Sequence, residues 1–358
     1  MPHFRVATVL PPRERFAPGE AGAIALLAHR LVEKDEVVIG TAPETPVFQN
    51  CIFQKVTPSR FWPLSTTERY ASGVAALLKR LKPEMVEIHN RPEVALTLRR
   101  HLPRLPFRLV LHNDPSDMRR ARTARERQEL TEKMAVATVS NWLRMRFLEG
   151  LPANTQVEVL PNCLDLSVLP PSAPPEKRDP LILFAGRIVS DKGADLFVQA
   201  CANILPQRPD WRAVMIGADR FGPNSPETPF LSTLRPRATA AGVEMAGFLP
   251  HSGVLKAMSQ AAIVVAPSRW NEPFGLVALE AMACGAAIVT SLRGGLPEVV
   301  GNDGYLIDPD QPEELTQALL RLTADSNLRC DLAKQGQQRA ALFDLPEARL
   351  KRRHARAY

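Results

Sequence analysis

Short runs of β-branched and aliphatic residues recur along this chain with helix-forming stretches between them, and that alternation narrows the fold class more than any other feature. FRVATVL (4–10), EVVIGT, MVEIHN, FRLVLHN, AVATVS and QVEVLPN lie in the first half; PLILFAGRI, WRAVMIG, GVEMAGF, AAIVVAPS and AAIVTS lie in the second. Nearly continuous apolar runs of this kind are strands buried on both faces, as in a parallel sheet covered by helices. Between the two series stands LPPSAPPEKRDP (169–180), with five prolines and no apolar period, which reads as a linker. The fold class is therefore α/β: two Rossmann-like, doubly wound parallel-sheet domains, 1–168 and 181–342, expected to face across a cleft that holds a shared ligand.

A chain of 358 residues can bury two cores of ordinary size. Its 45% hydrophobic and 23% charged content is that of a globular protein, and no apolar run approaches the ~18 residues that span a bilayer. MPHFRVATVL lacks the charged leader, apolar block and cleavage site of an export signal, so a cytoplasmic location is expected. Cysteines at 51, 163, 201, 284 and 330 are scattered, with no C-x-x-C pair or Cys/His cluster; they read as small core residues in a reducing compartment. The net charge of +7 is concentrated in Met118–Arg127 and Arg349–Arg356. Each cluster is either a solvated helix face or a contact with anionic lipid headgroups at the inner face of a membrane. No recognised motif or aromatic-lined basic platform points to nucleic acid.

Ser268–Gly285, SRWNEPFGLVALEAMACG, follows the strand AAIVVAPS and passes into a helix that ends at Gly285. Glu272 falls in the loop at the strand's carboxyl end, the side on which open α/β sheets bind ligands. Glu280 lies about two turns into the helix. A helix start at Phe274, Gly275 and Leu276 offers unpaired N–H groups and a positive dipole end to an anion, and Gly275 permits close approach of a ligand to the backbone. The carboxylates cannot take that anion and should take hydroxyls. Spacing alone thus reaches a ligand with an anionic part and hydroxyls.

The E-x7-E spacing of Glu272 and Glu280 inside NEPFGLVALEAMACG, followed by RGGLPEVV, resembles the signature of the retaining glycosyltransferases of family four, built on the GT-B fold. The resemblance implies transfer of a sugar, with retention, from a nucleotide-diphosphate sugar to a glycan or lipid-linked acceptor in cell-envelope polysaccharide or lipopolysaccharide synthesis. It makes Glu272 the donor-sugar partner and Glu280 the ribose-hydroxyl partner. In FAGRIVSDKG (184–193), Arg187 and Lys192 follow a strand end and can converge on a diphosphate, Arg as a fork and Lys as a point charge. They match the family's diphosphate-binding pair, whose positive charge would stabilise the leaving group. His112 ends FRLVLHN where the family places a histidine against the donor sugar or the diphosphate, a hydrogen-bonded structural histidine being the alternative. His112, Arg187, Lys192 and Glu272 form the expected catalytic set, with front-face displacement rather than a glycosidase-type nucleophile.

Around that set, Gly22 in PGEAG precedes a helix start and is a donor-loop candidate, although many relatives have two adjacent glycines where this chain has Glu20-Ala21-Gly22. Asn90 and Arg91, beside His89 in EIHNRPE, and Asn113 and Asp114 after His112 are assigned to the acceptor side. Gly217 and Gly247-Phe248 either flank the nucleobase or are turn glycines and a core phenylalanine; Gly294, Gly295 and Glu298 shape the pocket. No D-x-D stands in a suitable strand-end position, and the phosphate charge already has Arg187, Lys192 and a helix dipole, so no essential divalent metal and no cofactor beyond the nucleotide-sugar co-substrate is expected. The resemblance also sends the last helix, within 343–358, back onto the first domain. Two other functions stay open: a binding or scaffold protein on an inactive GT-B fold, and a nucleotide-sugar epimerase, whose relatives lack the E-P-F-G-x4-E block.

Overall fold

The structure, a computed structural model, describes residues 3–60, 64–219 and 227–355. Two compact units divide the chain: residues up to Cys163 together with those from Leu345 onward, and Leu164–Asp344.

The first unit runs β1 (Val6–Val9), α1 (Ala23–Leu31), β2 (Glu36–Gly40), β3 (Ile52–Lys55), α2 (Thr66–Leu81), β4 (Met85–His89), α3 (Pro92–His101), β5 (Phe107–Leu111), α4 (Ala124–Lys133), β6 (Ala135–Thr138), α5 (Asn141–Leu148) and β7 (Glu158–Val159). The strands form one parallel sheet in the order β3-β2-β1-β4-β5-β6-β7. Chain direction across the sheet reverses between β1 and β4, and the crevice beyond their carboxyl ends is the ligand position in this class. β1, β2 and β5 are buried along their whole length, as their apolar runs require. β3 lies in a Pro-interrupted stretch that gives little strand signal.

The second unit runs β8 (Asp179–Ala185), α6 (Ala194–Ile204), β9 (Arg212–Ile216), α7 (Pro229–Ala240), β10 (Val243–Gly247), α8 (His251–Gln260), β11 (Ala261–Ala266), α9 (Leu276–Ala283), β12 (Ala287–Ser291), α10 (Leu296–Val300), β13 (Tyr305–Ile307), α11 (Pro312–Ala324) and α12 (Ser326–Ala340). Its parallel sheet has the order β10-β9-β8-β11-β12-β13, with the switch point between β8 and β11. Phe184, Phe197, Ile263, Val265, Leu319 and Leu322 belong to one buried core between this sheet and its helices.

The last helix, α13 (Leu345–His354), belongs to the first unit. Leu345 and Ala348 pack on Leu27, Leu31 and Cys163. Arg349 Nη2 donates to the Arg30 and Val32 carbonyls at 2.7 and 3.2 Å, closing the C-terminal end of α1. Arg352 is buried: Nε donates to Glu87 Oε1 at 2.8 Å, Nη1 to Glu36 Oε2 at 2.8 Å and Nη2 to Thr8 Oγ1 at 3.1 Å. Thr8, Glu87 and Arg108 are laterally paired on β1, β4 and β5, so this polar row crosses the middle of the sheet.

These contacts correct three expectations. Residues 169–180 are no free linker, because they lie on the second unit. There Ser172 Oγ donates to the Cys284 carbonyl at 2.8 Å, Arg178 Nη1 to the Met258 and Ala261 carbonyls at 3.1 and 2.8 Å, and Lys334 pairs with Glu176. The boundary falls at Cys163/Leu164 rather than at 168. Arg349–Arg356 is a basic surface only in part: Arg349 and Arg352 turn inward and Arg353 pairs with Glu33 at 2.9 Å, while Lys351, Arg353 and His354 stay exposed; Arg356 lies outside the described residues. In Met118–Arg127, Arg127 is buried against the Phe147, Ala121 and Arg122 carbonyls at 2.7, 3.2 and 2.8 Å, whereas Arg119, Arg120, Arg122 and Arg125 are exposed. Among the described residues, no helix is long and apolar enough to cross a membrane.

Candidate functional site

Two loops meet at the switch point of the second unit, one after β8 and one after β11. Gly186 leaves β8 at φ 151° and Gly193 enters α6 at φ 69°. A Cβ on Gly193 would lie 2.1 Å from the Pro267 carbonyl oxygen, so only glycine lets the loops come this close. Between them, Ser190–Lys192 forms a single 3-10 turn. The Asp191 carbonyl accepts from Arg269 N at 2.9 Å, Trp270 N at 3.1 Å and Ser268 Oγ at 3.1 Å. Arg269 adds a fork onto Asp195 at 2.7 and 2.8 Å. These contacts tie the two loops into one body.

That body carries the charges. Lys192 Nζ lies 2.5 Å from Glu272 Oε1, and Ser268 Oγ donates to the same oxygen at 2.9 Å. The ammonium also stands 4.9 Å from the Trp270 ring centroid, a second attraction for a cation. Glu272 is held from behind by the RGG turn: Gly295 N donates to its carbonyl at 2.7 Å, and a Cβ on Gly294 would lie 2.2 Å from that oxygen. Gly275 caps α9 at φ 108° with Leu296 packed where a Cβ would project. The amides of the first turn of α9, from Leu276 on, have no partner within the helix. Arg187 is exposed just beyond Gly186. The Phe274 side chain is buried 5.7 Å from the Phe343 ring in an edge-to-face contact, so only its backbone can serve a ligand.

Glu280 is buried on α9, and its Oε1 lies 2.7 Å from His251 Nε2 at the start of α8. His251 carries no sequence signal, since a histidine after Pro250 reads as an ordinary helix start. The sheet edge continues with Gly217, whose N–H donates to the Gly247 carbonyl at 2.8 Å and whose Cβ would lie 1.8 Å from the Gly186 carbonyl oxygen. Phe248 is 42% exposed, which sets aside the alternative of a core phenylalanine.

The first unit brings His89, Asn90, Arg91, His112 and Asn113 together at the carboxyl ends of β4 and β5. His112 Nε2 lies 2.8 Å from His89 Nδ1, the rings 5.1 Å apart, and His89 Nε2 lies 3.3 Å from Glu87 Oε1. Burial, with His89 alongside, holds the His112 imidazole well below the usual histidine range. Asn90, at φ 58°, spends its side-chain oxygen on the His112 amide at 3.1 Å, and Arg91 Nη1 donates to the Asn90 carbonyl at 2.8 Å. Asp114 caps the following turn through Ser116 at 2.9 Å and pairs with Arg146 at 2.9 Å. Asn90 and Asp114 are thus built into the scaffold, and exposed Asn113 is the more available neighbour. At α1 the Gly22 amide donates to Glu14 Oε2 at 3.2 Å. Burial raises the Glu14 carboxyl against the pull of the Gly22 and Ala25 amides, and this carboxylate sits where Gly22 was to admit a ligand anion. Among the described residues, no group of three or more His, Cys, Asp and Glu could hold a metal ion.

Residues 169–339 match the family described as glycosyl transferases group 1. The chain is 28% identical over 293 residues to spore coat protein SA of Bacillus subtilis, covering 76% of this chain and 78% of that one. It is 33% identical over 208 residues to the D-inositol 3-phosphate glycosyltransferase of a Nocardioides species, covering 53% and 45%. Among solved structures, Anabaena HepE in complex with UDP superposes with a TM-score of 0.78 at 18% identity, over 98% of this chain and 99% of that one. The likeness is one of fold: two units, each built on a parallel sheet.

Proposed function

Since residues 169–339 match the group 1 glycosyltransferases and the chain has the GT-B fold, we propose that it is a retaining, metal-independent glycosyltransferase. It moves a sugar from a nucleotide-diphosphate sugar to a glycan or lipid-linked acceptor of the cell envelope. The observation that carries this reading is the Lys192–Glu272–Ser268 cluster, locked by the Asp191 carbonyl at the β8/β11 switch point beside the start of α9.

Each part has a task. Arg187, Lys192 and the amides of Gly275 and Leu276 take the diphosphate, whose negative charge grows as the bond from the anomeric carbon to its oxygen breaks. Glu272 takes a hydroxyl of the donor sugar, and Glu280, oriented by His251, takes the ribose hydroxyls. The acceptor oxygen bonds to the anomeric carbon on the face the diphosphate leaves, and the acceptor proton passes to the departing phosphate oxygen. His112 hydrogen-bonds the donor at its sugar or diphosphate. The phosphate charge is met by these cations and the helix dipole, so no divalent ion is assigned. A complex of HepE with UDP supports a nucleoside diphosphate donor.

The test is a transfer assay over UDP-, GDP- and ADP-sugars in the presence of a chelator, with the product anomer read by NMR. A retained anomer at full rate is expected; an inverted anomer, or a rate lost to the chelator and restored by magnesium, overturns the assignment. Exposed Arg119, Arg120, Arg122 and Arg125 are further assigned to an anionic membrane surface on the cytoplasmic side. That assignment fails if the protein ignores anionic liposomes at low salt.

A further inference from the structure

We propose that Glu87 and His89 are positioning residues that decide which nitrogen of His112 carries its proton, so that His112 meets the donor with a bare Nδ1 acceptor. This rests on the reading that His112 touches the donor.

The argument follows the hydrogens. Glu87 accepts from Arg352 Nε at 2.8 Å on Oε1, and Arg108 Nη1 stands 3.6 Å from Oε2. Two guanidiniums keep the carboxylate ionised, and an ionised carboxylate only accepts. His89 Nε2, 3.3 Å from Glu87 Oε1, must therefore carry a hydrogen. The charge is already balanced inside the sheet: Arg108 and Arg352 face Glu36 and Glu87, all four at most 3% exposed, and of the two partly exposed groups beside them Arg5 lies 3.4 Å from Glu36 and Glu158 3.6 Å from Arg108, which keeps the sum at zero. A protonated imidazole would add an uncompensated buried cation, which is strongly disfavoured. His89 is then neutral, with a lone pair on Nδ1. His112 Nε2, 2.8 Å away, has to donate to it. One hydrogen per neutral ring leaves His112 Nδ1 bare.

The consequence is chemical selectivity. A bare Nδ1 accepts a hydrogen bond from a sugar hydroxyl and has nothing to give a phosphate oxygen. The C-terminal helix takes part through Arg352, which is linked to His112 by way of Glu87 and His89.

The test is the ring-nitrogen NMR spectrum of the intact protein labelled with 15N-histidine, the His112 signals being assigned by their loss in His112→Ala. A proton on Nε2 and a bare Nδ1 are expected; a proton on Nδ1 overturns the proposal without recourse to any variant at His89. His89→Phe keeps a stacked ring and removes the acceptor. It should move the His112 proton to Nδ1 and lower kcat/KM by about tenfold. A moved proton with unchanged kcat/KM would refute the positioning role. If the unaltered protein turned over no nucleotide sugar, the transferase reading would fall while the proton assignment stood on the spectrum.

Discussion

In the first unit charged side chains lie inside the sheet layer, with Glu36, Glu87 and Arg108 on β2, β4 and β5 and Arg352 brought onto them from α13. In the second unit β8, β11 and β12 bury no charged side chain along their strands, and the ionic groups begin where the strands stop. Strand order near the switch point is the same in both. The difference teaches that one topology can hold charge as part of its interior or keep it at the mouth for a ligand. The two uses respond differently to substitution.

The largest effect should come from the interior. Arg352→Ala leaves Glu36 and Glu87 buried without their shared cation, at a cost of about 3–5 kcal/mol, a large part of the roughly 5–15 kcal/mol that stabilises a domain. Chemical denaturation followed by a first-unit probe such as Tyr70 should show it, and a midpoint close to native would mean that the interior charges are not a coupled set. At the mouth the order of effects reverses. Lys192→Ala removes a partner that is 21% exposed, so stability should change by at most about 1 kcal/mol, while turnover should fall about 10²–10³-fold. Equal losses of stability in the two variants would erase the contrast. The third effect is set by mass action: a nucleoside diphosphate at 100 times its Kd should add about 2.7 kcal/mol to the state that binds it. Calorimetry with UDP, GDP and ADP should place that gain in the second unit's transition, and a gain confined to the first unit would contradict the assignment of the mouth.

The sequence made the second unit's mouth readable because its residues are local. Glu272, Gly275 and Glu280 sit in one strand-to-helix passage, the glycines at 193 and 294 mark close backbone approaches, and Gly275 holds a positive φ with the Leu296 side chain where a Cβ would project. The first unit hid its network because the partners are far apart in the chain: Arg352 lies 265 residues from Glu87 and 316 from Glu36. A signal was present in EVVIG, MVEIH and FRLVL, where opposite charges interrupt strands otherwise apolar. Taken with LKRRH in a helix crossing back, it points to ion pairing inside. The strand runs themselves were legible from their hydrocarbon, whereas β3 and the short β13 (YLI) carried too few apolar residues to stand out. His251 and the Asp191 carbonyl gave no signal, since one is an ordinary helix-start residue and the other is backbone.

The placement of Arg352 also bears on biosynthesis. Peptide synthesis runs from the N-terminus, so the whole of Leu164–Asp344 leaves the ribosome before α13 does. Until then the first unit holds two carboxylates facing an unfilled position, and its nascent form cannot reach full stability. The second unit is free to fold earlier, although it comes later in the chain.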